Sequence, residues 1–219
     1  MNLKAAIFDL DGTLIDSLKD LHLTMSRVLE LGGYPVIDLE RVRHLIGNGA
    51  REFVRLSLPD GARSEKNVDK FLNIYRELYD EIGSQNTMPF DGIEEVLDAL
   101  FDKGIIVCVL SNKPHPNTLD MVAKFFPRHR FHYVLGQKDI FPPKPDPSSA
   151  LHIATALNLF PNEIVLIGDG ESDVMVAKNG GFFGISVLWG YRTLKELTEA
   201  GARVFARTPR DILRIMGLE

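Results

Sequence analysis

The chain has 219 residues, 45% hydrophobic and 25% charged, with a formal net charge of −5. The length exceeds the roughly 100–200 residues of a typical domain, so it reads as one large domain or a core of about 150 residues carrying a small second unit. The composition excludes a mostly disordered chain, and the acidic balance excludes a basic field that would drive sequence-independent nucleic-acid binding.

At the N-terminus Lys4 precedes only Ala5-Ala6-Ile7-Phe8 before an aspartate, which is too short for a signal-peptide apolar region. No apolar run reaches the 18 or so residues of a membrane span, and a cytoplasmic protein without a membrane partner is expected. Ala5–Phe8 reads as a buried strand. After it come three helical patterns. Leu18, Leu21, Met25, Val28 and Leu29 share one face, with Ser17 as the expected N-cap and Gly32-Gly33 as the stop. A second helical unit runs from Asp38 to about Leu58, interrupted at Gly47-Asn48-Gly49. A third is marked by Val68, Phe71, Leu72, Tyr75, Leu78, Tyr79 and Ile82. From residue 91 onward, apolar runs alternate with helical patterns. The runs are Ile105–Leu110, Ile164–Ile167 and Phe183–Leu188, with Val134-Leu135 and Val204-Phe205 weaker. The helices are centred on Ile93–Phe101, Pro147–Leu159 and Glu171–Asn179. This alternation predicts an α/β fold, a mostly parallel sheet covered on both faces. The strand-free stretch predicts a helical cap over 15–85 inserted after the first strand, with the core formed by 1–14 and 86–219. Hinges are expected near Asp16-Ser17 and Gly83–Asp91.

Chemistry concentrates at strand ends. Asp9-Leu10-Asp11-Gly12-Thr13 follows the first strand, and residues two apart on an extended chain face one side, so Asp9 and Asp11 could enter one site. Crowded carboxylates repel unless a cation joins them, and Mg²⁺ takes one or two carboxylates together with substrate phosphate. Gly168-Asp169-Gly170-Glu171-Ser172-Asp173 brings two more acids to another strand end, where open α/β sheets bind ligands. Asp173 could instead merely favour the N-terminus of the following helix. Ser111-Asn112-Lys113 offers donors for phosphate oxygens. Lys144, stiffened between Pro143 and Pro145, offers a fixed ammonium. Other features read as structural. The single cysteine, Cys108, is a buried small hydrophobe, Arg128-His129-Arg130 is a solvated loop, and His129 and His132 lack the context of a zinc site.

These motifs resemble those of the haloacid dehalogenase superfamily: DLDGTL at 9–14, the serine of VLSNK, the lysine of PPKPDP and the aspartates of GDGESD, in that order. IGNGAREFV at 46–54 and LWGY at 188–191 are similar to phosphoglycolate-phosphatase-like members. The resemblance implies a doubly wound parallel sheet, a Rossmann-like α/β core, with a helical cap inserted after the first strand, and a Mg²⁺-dependent phosphatase acting through an aspartyl-phosphate. It makes Asp9 the nucleophile and Asp11 the general acid and base. Thr13, Ser111, Asn112 and Lys144 would bind phosphate. Asp9, the Asp11 backbone carbonyl and Asp169 would hold the metal, with Asp173 as ligand or support. Asn48 and Arg51 of the cap are candidates to meet the rest of a small phosphate-ester substrate. Gly170 stands where the family commonly has serine. A phosphosugar mutase is the alternative within the family, and a non-catalytic phosphate-binding protein the alternative outside it. Asp11 argues against a dehalogenase, which needs no second acid.

Overall fold

The computed structural model describes residues 2–219. In chain order, β1 (Ala5–Phe8) leads through the two-residue β2 (Ile15–Asp16) into four helices, α1 (Leu18–Leu31), α2 (Leu39–Leu45), α3 (Gly49–Ser57) and α4 (Glu65–Ile82). The chain returns through β3 (Met88–Pro89) and then alternates as α5 (Ile93–Asp102), β4 (Ile106–Pro114), α6 (His115–Phe125), β5 (Tyr133–Gln137) and α7 (Ser148–Ala156). It finishes as β6 (Ile164–Gly168), α8 (Glu171–Gly180), β7 (Phe183–Val187), α9 (Leu194–Ala200), β8 (Phe205–Ala206) and α10 (Pro209–Met216).

Six strands form one sheet in the order β5-β4-β1-β6-β7-β8, and every neighbouring pair is parallel. The chain builds outward from β1 on one side, then crosses to the other, so the winding reverses at β1. That reversal opens a crevice at the carboxyl ends of β1, β4 and β6. Side-chain alternation sorts the core into two layers. Ala6, Phe8, Val107, Val109, Val165 and Ile167 face one side with the apolar residues of α5, α6 and α10. Ala5, Ile7, Cys108, Leu110, Ile164 and Leu166 face the other, against Ala150 and Ile153 of α7 and Val176 of α8.

The four helices between β2 and β3 pack on one another, and the periodic residues of α1 and α4 are the ones they bury. Phe53 meets Tyr75 edge-on with ring centroids 5.8 Å apart. β2 and β3 pair antiparallel, Ile15 with Pro89 and Asp16 with Met88, so the outward and returning chains lie side by side. Buried Asp20 ties the same junction, accepting from the Asn86 N–H (2.9 Å), the Asn86 side chain (2.7 Å) and the Thr87 hydroxyl (2.7 Å).

Several local expectations change. Ser17 does not cap α1; its hydroxyl donates to Asp11 Oδ1 at 2.5 Å, because the turn at Gly12 brings that carboxylate within reach. Strand β4 continues past Leu110, so Ser111, Asn112 and Lys113 lie on the strand rather than in a loop, across a shift in register against β5. His129 is buried rather than solvated; it pairs with Asp98 at 2.9 Å and stacks on Phe101. Cys108 is buried and free, and burial pushes its thiol up to about 12.

Candidate active site

Asp9 is the first residue beyond β1. Its Oδ1 accepts from the Leu10 N–H (2.7 Å) and from Lys144 Nζ (2.9 Å), which fixes the carboxyl plane. The chain then turns sharply. Gly12 has φ +84°, and a Cβ there would strike the Asp169 carboxylate, so both conformation and space require glycine. The extended geometry therefore does not continue through Asp11. Its carboxylate turns away from Asp9 toward Ser17 and Lys113, although both aspartates still line one cavity.

Beyond β6, Asp169 and Asp173 approach Asp9, and ligand-capable oxygens of the three lie within 4.8 Å of one another. Each acid is individually held. Asp169 Oδ1 accepts from the Thr13 hydroxyl (3.3 Å) and Oδ2 from the Tyr191 N–H (2.7 Å). Asp173 Oδ2 accepts from the Gly170 N–H (3.1 Å). Residue 170 contributes only its backbone N–H to that bond, so the missing serine leaves it intact. Lys144 is buried between the acids, its Nζ 2.6 Å from Asp173 Oδ1 and 2.9 Å from Asp9 Oδ1.

Electrostatics follow from this crowding. Burial raises the Asp9 carboxyl well above the carboxylate range; Lys144 opposes the rise, while Asp173 and Asp169 add to it. Burial, then the charge of Asp173, pushes Asp169 up to about 7. Burial works against the charge on Lys144, but Asp173 and Asp9 outweigh it and hold the ammonium. One lysine thus faces three carboxylates that resist ionising together. An oxygen-only, anionic donor set of this kind fits a hard divalent cation such as Mg²⁺. The Asp11 side chain is not among the clustered carboxylates.

The other expected site residues have distinct placements. Ser111 lines the cavity. Asn112 lines it too, but its amide is engaged with backbone. Nδ2 donates to Gly47 O (2.8 Å) and Lys144 O (3.0 Å), and Oδ1 accepts from the Lys144 N–H (2.8 Å). Its work is to tie Lys144 and the α2–α3 turn to β4. Thr13 is wholly buried behind Asp169. Asn48 lines the cavity at the start of α3, with no side-chain capping bond. Arg51 does not: one turn of α3 directs it outward, onto Asp69 and Glu65 of α4, both at 2.5 Å.

Three residues without an assigned role in the motif reading also line the cavity: Lys113, Tyr191 and Arg192. Lys113 Nζ contacts both Asp11 oxygens, at 3.0 and 2.9 Å. The loop after β7 carries the rest. Trp189 donates to Thr13 O at 3.1 Å, and Tyr191 holds Asp169. Gly190 is so close to Asp169 and to the Gly12 carbonyl that a Cβ would collide with both. Arg192 is oriented by Glu171 and donates to the carbonyls of Arg43 (2.7 Å), His44 (3.2 Å) and Ile46 (2.8 Å). Arg43 returns a bond to Tyr191 O at 2.6 Å. The LWGY motif thus marks the segment that braces both the acidic cluster and α2.

Fold and site together define a doubly wound α/β protein with acids at the sheet's carboxyl edge and helices folded over them. The haloacid dehalogenase-like hydrolase family model matches residues 6–187, and the chain belongs to that family. Its enzyme class is that of the phosphatases, the phosphoric monoester hydrolases. A phosphoglycolate phosphatase of Pseudomonas putida is 31% identical over 196 residues, covering 86% of this chain and 70% of that protein. One from Xanthomonas campestris pv. campestris is 31% identical over 191 residues, covering 86% and 85%. The crystal structure of a candidate phosphoglycolate phosphatase from Lactobacillus delbrueckii subsp. bulgaricus superposes with a TM-score of 0.92 at 27% identity, covering 99% of each chain.

Proposed function

We propose that this phosphatase is Mg²⁺-dependent and hydrolyses a small phosphate monoester of the phosphoglycolate type through an aspartyl-phosphate on Asp9. The observation that carries the reading is the convergence of Asp9, Asp169 and Asp173 around Lys144 at the reversal point of the sheet. Asp9, Asp169 and Asp173, with the Asp11 backbone carbonyl, would hold Mg²⁺. When bound, the ion would neutralise the carboxylates and the phosphoryl oxygens.

The chain's own residues supply the remaining steps. Asp9, pinned by Leu10 and Lys144, attacks phosphorus as the ester P–O bond breaks. Asp11 gives a proton to the departing alkoxide. It then takes one from the water that attacks the acyl-phosphate, and the P–O bond to Asp9 breaks to release phosphate. Ser111 and Lys144 bind the phosphoryl oxygens, while Asn112 and Thr13 position Lys144 and Asp169. Residues 15–85 act as a cap that excludes water over the cytoplasmic substrate, with Asn48 on its inner surface. The cavity brings both aspartates of the first motif against Asn48 of the helices.

The test is release of phosphate from p-nitrophenyl phosphate with Mg²⁺ and with chelator. Chelation should abolish turnover, and Asp9→Asn should lower kcat by about three orders of magnitude or more. Turnover indifferent to both would refute the mechanism.

A further inference from the structure

Lys113 and Arg192 line the cavity and Lys144 is buried beside it, and two of these three cations are committed. Lys144 is fixed between Asp9 and Asp173, and the guanidinium of Arg192 is spread over Glu171 and three carbonyls. The third is Lys113. Its side chain is only 5% exposed, its Nζ spans both oxygens of Asp11, and it stands 4.9 Å over the ring of Tyr79. The Tyr79 hydroxyl is buried with no hydrogen-bond partner among the described residues. Leu21, Phe53 and Tyr75 supply apolar wall on this side of the cavity.

This pairing conflicts with the task of Asp11. A carboxyl that exchanges a proton with the ester oxygen must turn one of its oxygens to that atom. Here Oδ1 already accepts from Ser17 and Lys113, and Oδ2 accepts from Lys113. Release of one of them by Lys113 would free that oxygen to turn to the ester. An ammonium buried beside Tyr75 and Tyr79 cannot be left without a counter-charge.

Resting on the phosphatase reading above, we infer that Lys113 determines specificity. It exchanges Asp11 for a carboxylate on the substrate, one or two carbons from the ester oxygen, and so selects small phosphorylated hydroxy acids over esters of neutral alcohols. A single ammonium balances a single carboxylate.

The test compares kcat/KM for 2-phosphoglycolate and 2-hydroxyethyl phosphate, which share a two-carbon frame and differ in the carboxylate. Wild-type protein should prefer the acid by about tenfold or more, the worth of one charge-assisted hydrogen bond. Lys113→Met should collapse that ratio through KM for the acid, whatever loss the two esters share, and Lys113→Arg should keep part of it. Equal efficiency with both esters in the wild type, or an unchanged ratio in Lys113→Met, overturns the inference alone. A wild type that turns over neither ester nor p-nitrophenyl phosphate overturns the phosphatase reading beneath it.

Discussion

Asp20 shows how much one buried charge contributes away from the chemistry. Burial alone would raise its carboxyl, but the donors of Asn86 and Thr87 outweigh burial and hold it below the usual range. Because the folded value lies below the unfolded one, the stability it contributes is complete above the ordinary carboxylate value of about 3.9. That stability is lost as pH falls through the lowered folded value. Asp20→Asn turns an amide toward the Asn86 and Thr87 donors and should cost about 2 kcal/mol, a fall in Tm of about 4–8 °C. The gap from wild type should stay constant from pH 5 to 8 and close below about pH 4, as thermal unfolding across that range would report. At this scale the sequence names most of the chemistry. Asp9 and Asp169 stand at recognisable strand ends, with Asp173 in the first turn of the helix that follows, and local pattern suffices to find them. Lys113 is legible only as a polar residue after an apolar run. Its partner, Asp11, is 102 positions away, and no local period links them.

Among the elements, β1 and β6 are read directly from sequence because both faces are buried and the apolar run is unbroken. The polar end of β4 is not, since Ser111-Asn112-Lys113 looks like a turn until the sheet is in place. β2 and β3 are two residues each, too short for any period. Helices α6 and α10 begin at prolines and bury short faces, Thr118, Met121 and Val122 in one and Ile212, Leu213 and Met216 in the other. The contact between α2 and the loop after β7 is likewise invisible in sequence. In it Arg192 satisfies carbonyls at the C-terminal end of α2, which the helix itself leaves unpaired. Lysine cannot span three carbonyls with one ammonium. Arg192→Lys should therefore raise amide exchange in residues 39–57 by about tenfold while β1 and β6 stay protected, and should raise KM for any substrate enclosed by the helices. Unaltered exchange would show that α2 is held by its apolar contacts alone.

For the whole molecule, the acidic cluster is a stability cost carried for chemistry. Asp9 and Asp169 have folded values above their unfolded ones, so the stability tied to their protonated forms is complete below about pH 3.9. It is lost as pH rises through about 7 for Asp169 and about 8 for Asp9. The chelated protein should weaken across that interval, and Mg²⁺ should restore what is lost, because it binds the deprotonated acids. The gain in Tm on adding Mg²⁺ should accordingly grow from pH 5.5 to pH 8, as a melting series at fixed ion concentration would record. A gain independent of pH would assign binding to groups other than these carboxylates. The β2–β3 ribbon has a different kind of consequence. Ile15 faces Pro89, so the outgoing and returning strands sit a single ladder rung apart. The helices between them are, topologically, a long hairpin loop hung from two adjacent points. Their length and sequence can be exchanged without altering the order of the sheet or the strand that carries Asp9. A different insertion joined at this doorway would keep Asp9 on its strand but would have to supply new partners for Asn112 and Arg192.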